Sequence, residues 1–230
     1  MKKPYMEVFS HGKFVPCTNS QNLKKGMVIS MRYHNITKDD MLNGDGLRVV
    51  LWVAGCEHCC KGCQNPMTWD PDGGLPFDDA AKAEIFEQLD QPYIEGITFS
   101  GGDPLHCANR DGVKTLAAEI KEKYPEKTIW MYTGDVWENI VNYPVLKYVD
   151  VLVDGEFEQD KKDVTLMWKG SSNQRVIDVK ASLAQENRLV PVLHCGDHDD
   201  IPMGREIAGT PDKNIIPFNA NGSCAIQRNA

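Results

Sequence analysis

The chain has 230 residues, 41% of them hydrophobic and 25% charged, with a formal net charge of −8: enough to bury one sizeable core, and acidic enough to argue against nucleic-acid or anionic-membrane partners, which would repel it. No apolar run approaches the ~20 residues of a membrane helix, and the start, "MKKPYMEVFSHGKF", lacks the apolar core of a secretory signal. The eight cysteines are therefore expected in a reducing cytoplasm, where clustered thiols bind metal or do chemistry more often than they form disulfides.

Residues 1–30 are polar and irregular ("TNSQNLKKG" reads as loop) and are expected to be a poorly structured extension. "LRVVLWVAG", from Leu47, is rich in β-branched residues and predicts a buried strand. "DDAAKAEIFEQLD" (Asp78–Asp90) has apolar residues at helical spacing and acids in its first turn, where the helix dipole favours them. "IEGITFSGG" predicts a second strand ending in a glycine turn, and "DGVKTLAAEIKEKYP" a second helix stopped by Pro125. "KTIWMYTG" predicts a third strand, "DVWENIVN" a short helix, "VDVLVDGEF" a fourth strand and "QRVIDV" a fifth.

Apolar strands alternating with amphipathic helices predict an α/β fold with a parallel sheet. Functional residues in such sheets gather at the carboxyl ends of strands. The cysteine cluster, "SGGD", "YTGD" and "VDGEFEQD" all follow strands, so they are expected to converge on one face. After about residue 182 the pattern fades, which assigns 31–182 to the working domain and 183–230 to an appendage of little structure.

"AGCEHCCKGCQNPMTW" (Ala54–Trp69) holds four of the cysteines. It can be read as Cys56-x3-Cys60-x2-Cys63 or as Cys56-x2-Cys59-x3-Cys63. Either reading brings three thiolates to one metal centre and leaves a sulfur over. A closed zinc site wants four ligands, usually as two separated pairs, and no second pair exists here. A [4Fe–4S] cluster held by three cysteines would keep one iron open. Zinc borrowing Cys59 or His58 remains the alternative. Cys17, Cys107, Cys195 and Cys224 are scattered, and "HCGDH" (His194, Cys195, His198) lacks the scaffold that metal binding requires. In "SGGD" (Ser100–Asp103) adjacent glycines allow a ligand close to the backbone, against the plainer reading of a strand-ending turn.

A Cys-x3-Cys-x2-Cys loop after a first strand resembles the radical S-adenosylmethionine superfamily. "NGDGLRVVLWVAGCEHCCKGCQNPMTW", "ITFSGGDPLH", "IWMYTGD" and "VDVLVDGEFEQDKKDVTLMWKGSSNQRVIDV" resemble, in order, the activating proteins of anaerobic (class III) ribonucleotide reductases, over roughly Tyr33 to Ser182. The last block is the most specific, because "LVDGEF…W.GSSNQR" marks this branch. The resemblance implies a partial (βα) barrel of about five or six parallel strands, open at one side. It selects Cys56, Cys60 and Cys63 as ligands of a [4Fe–4S] cluster and makes Cys59 a bystander. It also implies S-adenosyl-L-methionine on the open iron, contacted by Gly62, Cys63, Gln64, Gly101, Gly102, Asp103, Tyr132 and Thr133. Asp103 or nearby carbonyls would accept from the methionine ammonium, and Gly62 stands where the superfamily often has an aromatic residue.

The implied reaction is one-electron cleavage of S-adenosylmethionine to methionine and a 5′-deoxyadenosyl radical, which takes a hydrogen from a glycine of the reductase large subunit. A low-potential electron donor such as flavodoxin is the second implied partner. Asp154, Lys169, Ser171, Asn173, Gln174 or Arg175 is expected to contact substrate or partner, with a surface hydrogen bond or cap as the plainer reading of each. Two other readings are carried: an activase of another glycyl radical enzyme of the formate-lyase type, which would not be expected to show "GSSNQR", and a non-catalytic zinc-binding module.

Overall fold

Four of the apolar runs expected as strands lie side by side and parallel in the computed structural model, which describes residues 31–194. They are β2 (Arg48–Val53), β4 (Gly96–Gly101), β5 (Thr128–Tyr132) and β6 (Val151–Asp154). Both faces of these strands are covered, which is why they read as nearly unbroken apolar sequence. Between them run α1 (Asp79–Leu89), α2 (Arg110–Lys123) and α3 (Trp137–Ile140), with α4 (Val179–Leu183) following later. The Asp78 carboxylate caps α1 by accepting from the Ala81 amide at 2.9 Å. At the other boundary, α2 gives way at Tyr124, next to Pro125.

Alternate residues of the strands face opposite ways. Val49, Leu51, Val53, Ile97, Phe99, Ile129 and Met131 join the main core with Ile85, Leu89, Leu116 and Ile120 of the helices. The opposite face carries a smaller apolar cluster of Trp130, Val151, Val153 and Val176, with Tyr132 and Trp168 against it.

With β1 (Arg32–Asp40), β3 (Leu75–Pro76), β7 (Arg175–Asp178) and β8 (Val192–Leu193), the sheet is open and has eight strands in the order β3-β1-β2-β4-β5-β6-β7-β8. Only β2, β4, β5 and β6 pair parallel with one another, fewer than the expected five or six. "QRVIDV" supplies β7 (Arg175–Asp178), which is antiparallel to β6. A parallel return would need a crossover connection of the kind a helix provides. Residues 155–174 hold only a short 3₁₀ turn, Gln159–Lys161, and a β-bridge between Lys162 and Ser171.

Three further strands were not anticipated. β1 (Arg32–Asp40) runs antiparallel to β2 with two register irregularities. The short β3 (Leu75–Pro76) edges β1, and β8 (Val192–Leu193) edges β7, so the sheet continues past residue 182. Residues 1–30 and the Cys195–His198 part of "HCGDH" lie outside the described residues. Among the described residues, no helix is long and apolar enough to cross a membrane.

Candidate functional site

The loop Ala54–Trp69 leaves β2 and closes on itself, with the Gly55 amide donating to the Thr68 carbonyl at 2.7 Å and the Cys56 amide to that of Trp69 at 3.1 Å. The turn after β4 is docked onto its start. The Gly102 amide donates to the Val53 carbonyl and the Asp103 amide to the Gly55 carbonyl, both at 2.8 Å. Asn109, at the entry to α2, adds a buried tie by donating from Nδ2 to the carbonyls of Ala54 and Asp103. The expected approach of a ligand to the glycine pair is thus shared with a close approach of chain to chain. Gly101 has φ of +100°, and a Cβ on Gly102 would lie 2.5 Å from the Gly55 carbonyl oxygen.

A cavity of about 430 Å³ opens at the carboxyl ends of the parallel strands. Cys56, Cys60, Cys63, Gln64, Gly101, Gly102, Asp103, Tyr132 and Thr133 all line it. Gly62 does not line it. Its φ is +74°, and any side chain there would run into Gln159. The Cys59 side chain is exposed and also outside the lining, on a residue with φ of +50°.

The three lining thiols share one environment. Burial pushes the Cys56 thiol up to about 12, although the backbone amide of His58 directed at it acts the other way. Cys60 is raised by burial too, against the amide of Phe157. The Asn65 amide donates to the Cys63 sulfur at 3.3 Å. These amides point at sulfurs that a bound cation would convert to thiolates. Three cysteines on one short loop, each facing the same cavity and each near a backbone donor, fit an iron–sulfur cluster with one iron left open.

Asp103 is almost fully buried, and donors of the protein itself surround its carboxylate. Its carboxylate accepts from the Leu105 amide at 2.7 Å, the Thr133 hydroxyl at 2.9 and 3.0 Å, and the Gly134 amide at 3.1 Å. His58 Nε2 lies 2.7 Å from the same carboxylate, and its Nδ1 lies 3.1 Å from Glu156. Burial alone would push the imidazole pKa down, but Asp103 and Glu156 outweigh it and hold it at about 9. A charged His58 therefore ties the cysteine loop to the turns after β4 and β6, and through Asp103 to the turn after β5. A Cβ on Gly134 would sit 2.5 Å from the His58 ring, so the glycine of "YTGD" makes room for this contact. The sequence offered His58 only as a spare zinc ligand; its real partners are 45 and 98 residues away.

The motif "GSSNQR" works mostly as a brace. Arg175 spans Glu138, with two contacts of 2.9 Å, and the buried Asp154, whose carboxylate also accepts from the Trp137 amide at 2.8 Å. Gln174 accepts from the Gly170 amide and donates to the Gly155 carbonyl, both at 2.9 Å. Asn173 donates to the Glu156 carbonyl at 2.8 Å, and the Ser171 hydroxyl accepts from the Glu158 amide at 3.2 Å. Of the six residues expected to meet substrate or partner, only Lys169 and Gln174 line the cavity.

The family model described as "4Fe-4S single cluster domain" matches residues 42–177. Three curated relatives carry the name anaerobic ribonucleoside-triphosphate reductase-activating protein. The one from enterobacteria phage T4 is 43% identical over 146 residues, covering 64% of this chain and 93% of its own. That of Escherichia coli K12 is 43% identical over 150 residues, with 64% and 97% covered. That of Pasteurella multocida is 40% identical over 150 residues, with 63% and 95% covered.

Proposed function

Because this chain belongs to the family of anaerobic ribonucleoside-triphosphate reductase-activating proteins, we propose that it activates an anaerobic ribonucleotide reductase by placing a radical on a glycine of that enzyme. The observation that carries this is the set Cys56, Cys60 and Cys63, three thiols from one loop on a single cavity inside the matched segment. When bound, a [4Fe–4S] cluster with S-adenosylmethionine on its open iron supplies one-electron cleavage of the sulfonium and hydrogen abstraction from glycine.

The chain's own residues do the rest. Cys56, Cys60 and Cys63 hold the cluster, and the amides near their sulfurs stabilise the ligated thiolates. His58 and Asp103 keep the cysteine loop in register with the turns after β4 and β5. Gln64, Gly101, Gly102, Tyr132 and Thr133 border S-adenosylmethionine, and backbone carbonyls near the glycine turn accept from its ammonium, since Asp103 is already surrounded by donors. On this reading the parallel strands are the partial barrel of the superfamily, residues 31–182 carry the activity, and the work is done in a reducing cytoplasm. The protein partners are the reductase large subunit and a low-potential electron donor such as flavodoxin.

The test uses anaerobically reconstituted protein, reduced with dithionite and given S-adenosylmethionine. The expected result is a [4Fe–4S]⁺ electron paramagnetic resonance signal that changes on addition, with 5′-deoxyadenosine formed. Zinc without iron would instead identify a zinc-binding module.

A further inference from the structure

A purine ring is flat and largely apolar, and a protein holds such a ring by stacking it on an aromatic face, at roughly 1–3 kcal/mol per base. If S-adenosylmethionine enters this cavity, its base needs such a face within a nucleoside's reach of the cysteine loop. Four aromatic residues line the cavity: Trp52, Tyr132, Phe157 and Trp168. Trp52 is turned toward β1, donating its indole N–H to the Thr37 hydroxyl at 2.7 Å. The Tyr132 ring packs against the cluster of Trp130, Val151, Val153 and Val176. Trp168 meets Trp130 edge-on at 5.0 Å and His194 at 5.7 Å. Phe157 makes no ring–ring contact among the described residues, and its own amide points at Cys60.

The Phe157 backbone is also tied in place on both sides. Gly155, Glu156 and Glu158 are each bonded to the segment 171–174 by the contacts of Gln174, Asn173 and Ser171. One side of the ring rests on Gly170, where a Cβ would stand 3.1 Å from Phe157 Cδ2 and 3.3 Å from Gln64 Nε2. The glycine in "KGSS" thus lets the Phe157 ring and the Gln64 amide lie close together on one wall. A flat face with an amide beside it is the pairing that grips an adenine by its plane and its 6-amino edge, since a glutamine amide matches the adjacent donor and acceptor there.

Building on the proposed function, we infer that Phe157 is the stacking platform for the adenine of S-adenosylmethionine and that Gln64 reads its amino edge. The brace built by "GSSNQR" thereby serves nucleoside recognition at one remove, by fixing the residues on either side of Phe157.

The experiment titrates S-adenosylhomocysteine, which cannot be cleaved, and separately 5′-deoxyadenosine and methionine, onto the reconstituted protein by calorimetry, with iron content measured alongside. Phe157→Leu keeps apolar bulk but removes the aromatic face. It is expected to retain iron, to bind S-adenosylhomocysteine and 5′-deoxyadenosine roughly tenfold more weakly, and to leave methionine binding unchanged. Phe157→Tyr is expected to restore nucleoside affinity, and Gln64→Leu to reduce the preference for adenine over hypoxanthine nucleosides. Unchanged 5′-deoxyadenosine affinity in Phe157→Leu would overturn the inference while leaving the proposed function standing. Equal losses for 5′-deoxyadenosine and methionine would also overturn it, by showing a collapse of the cavity rather than a lost platform. Wild-type protein that holds four irons but binds no S-adenosylhomocysteine would overturn both readings.

Discussion

At the amino ends of the parallel strands, Arg48 is completely buried among neutral acceptors; at their carboxyl ends, the nearly buried Asp103 is gathered up by loops. The Arg48 guanidinium donates to the hydroxyls of Thr98 and Thr128 and to the carbonyls of Asp45, Ile97 and Thr128, at 2.8–2.9 Å, and lies 5.6 Å from the Trp130 ring centroid. Burial pushes its pKa down to about 10, so it is still charged at neutral pH. Most of its partners belong to strands that form in any case. Asp103, by contrast, takes donors from the cysteine loop, from its own turn and from the turn after β5. The first arrangement closes the floor of the fold, and the second sets three loops in register. Burial of a charge is common to both, and what differs is whether its partners would stay in place without it.

The largest effect expected tests the rim. Cys56→Ala, Cys60→Ala and Cys63→Ala should each abolish iron retention after anaerobic reconstitution, whereas Cys59→Ala, at an exposed residue outside the cavity lining, should retain it. Iron and sulfide analysis reads the result directly. A Cys59→Ala protein without iron would replace the chosen spacing with Cys56-x2-Cys59-x3-Cys63.

The floor comes next. Arg48→Met breaks five hydrogen bonds to acceptors that are buried or part-buried and should cost about 3–5 kcal/mol in urea unfolding, the scale of a broken buried charge network. A loss below ~1 kcal/mol would mean that the floor reorganises as readily as a loop, and the contrast would fail. Asp103→Asn keeps the shape but gives up the charge facing His58. It should cost only about 1–2 kcal/mol of stability while lowering iron retained per chain, because the cysteine loop loses its tie to the turn after β5. Equal stability losses in the two variants would remove the distinction between floor and rim.

The parts of this contrast differ in how far the sequence announces them. The four parallel strands were legible because burial on both faces leaves an apolar run, and the convergence of Cys56, Asp103 and Thr133 followed from their places just after strands. β1 was not, because its pattern Arg32–Asp40 is mostly polar, with Ile36 its buried residue. The direction of β7 was hidden because it depends on residues 155–174 lacking a helix, a property of the connection rather than of the strand. The reach of His58 to Asp103 and Glu156 was equally hidden. Such contacts depend on the path of the whole sheet, and no local spacing encodes them. "GSSNQR" was visible as a motif, but its polar residues suggest ligand binding as readily as the bracing they provide.

The smallest expected effect bears on a second charge at the floor. Asp150, just before β6, accepts from the Ile129 amide at 2.7 Å and pairs with Lys121 at 2.7 Å and Lys180 at 2.6 Å. Burial would raise its pKa, but the two lysines and the amide outweigh that and hold the carboxyl below its ordinary value. A depressed carboxyl contributes stability that is fully present above the unfolded-state pKa, near ~3.9, and is lost as pH falls through the folded value. Arg48 stays charged throughout that range, so its contribution should be flat there. Urea unfolding at about pH 6 and about pH 3 should therefore show the gap between wild type and Asp150→Asn narrowing by about 1 kcal/mol, while the gap between wild type and Arg48→Met stays constant. A parallel narrowing in both would mean that the floor titrates as a single network, with Asp150 and Arg48 coupled across β5. A constant gap in both would mean that the lysines move off Asp150 in solution and that the floor's stability rests on Arg48 and its neutral partners.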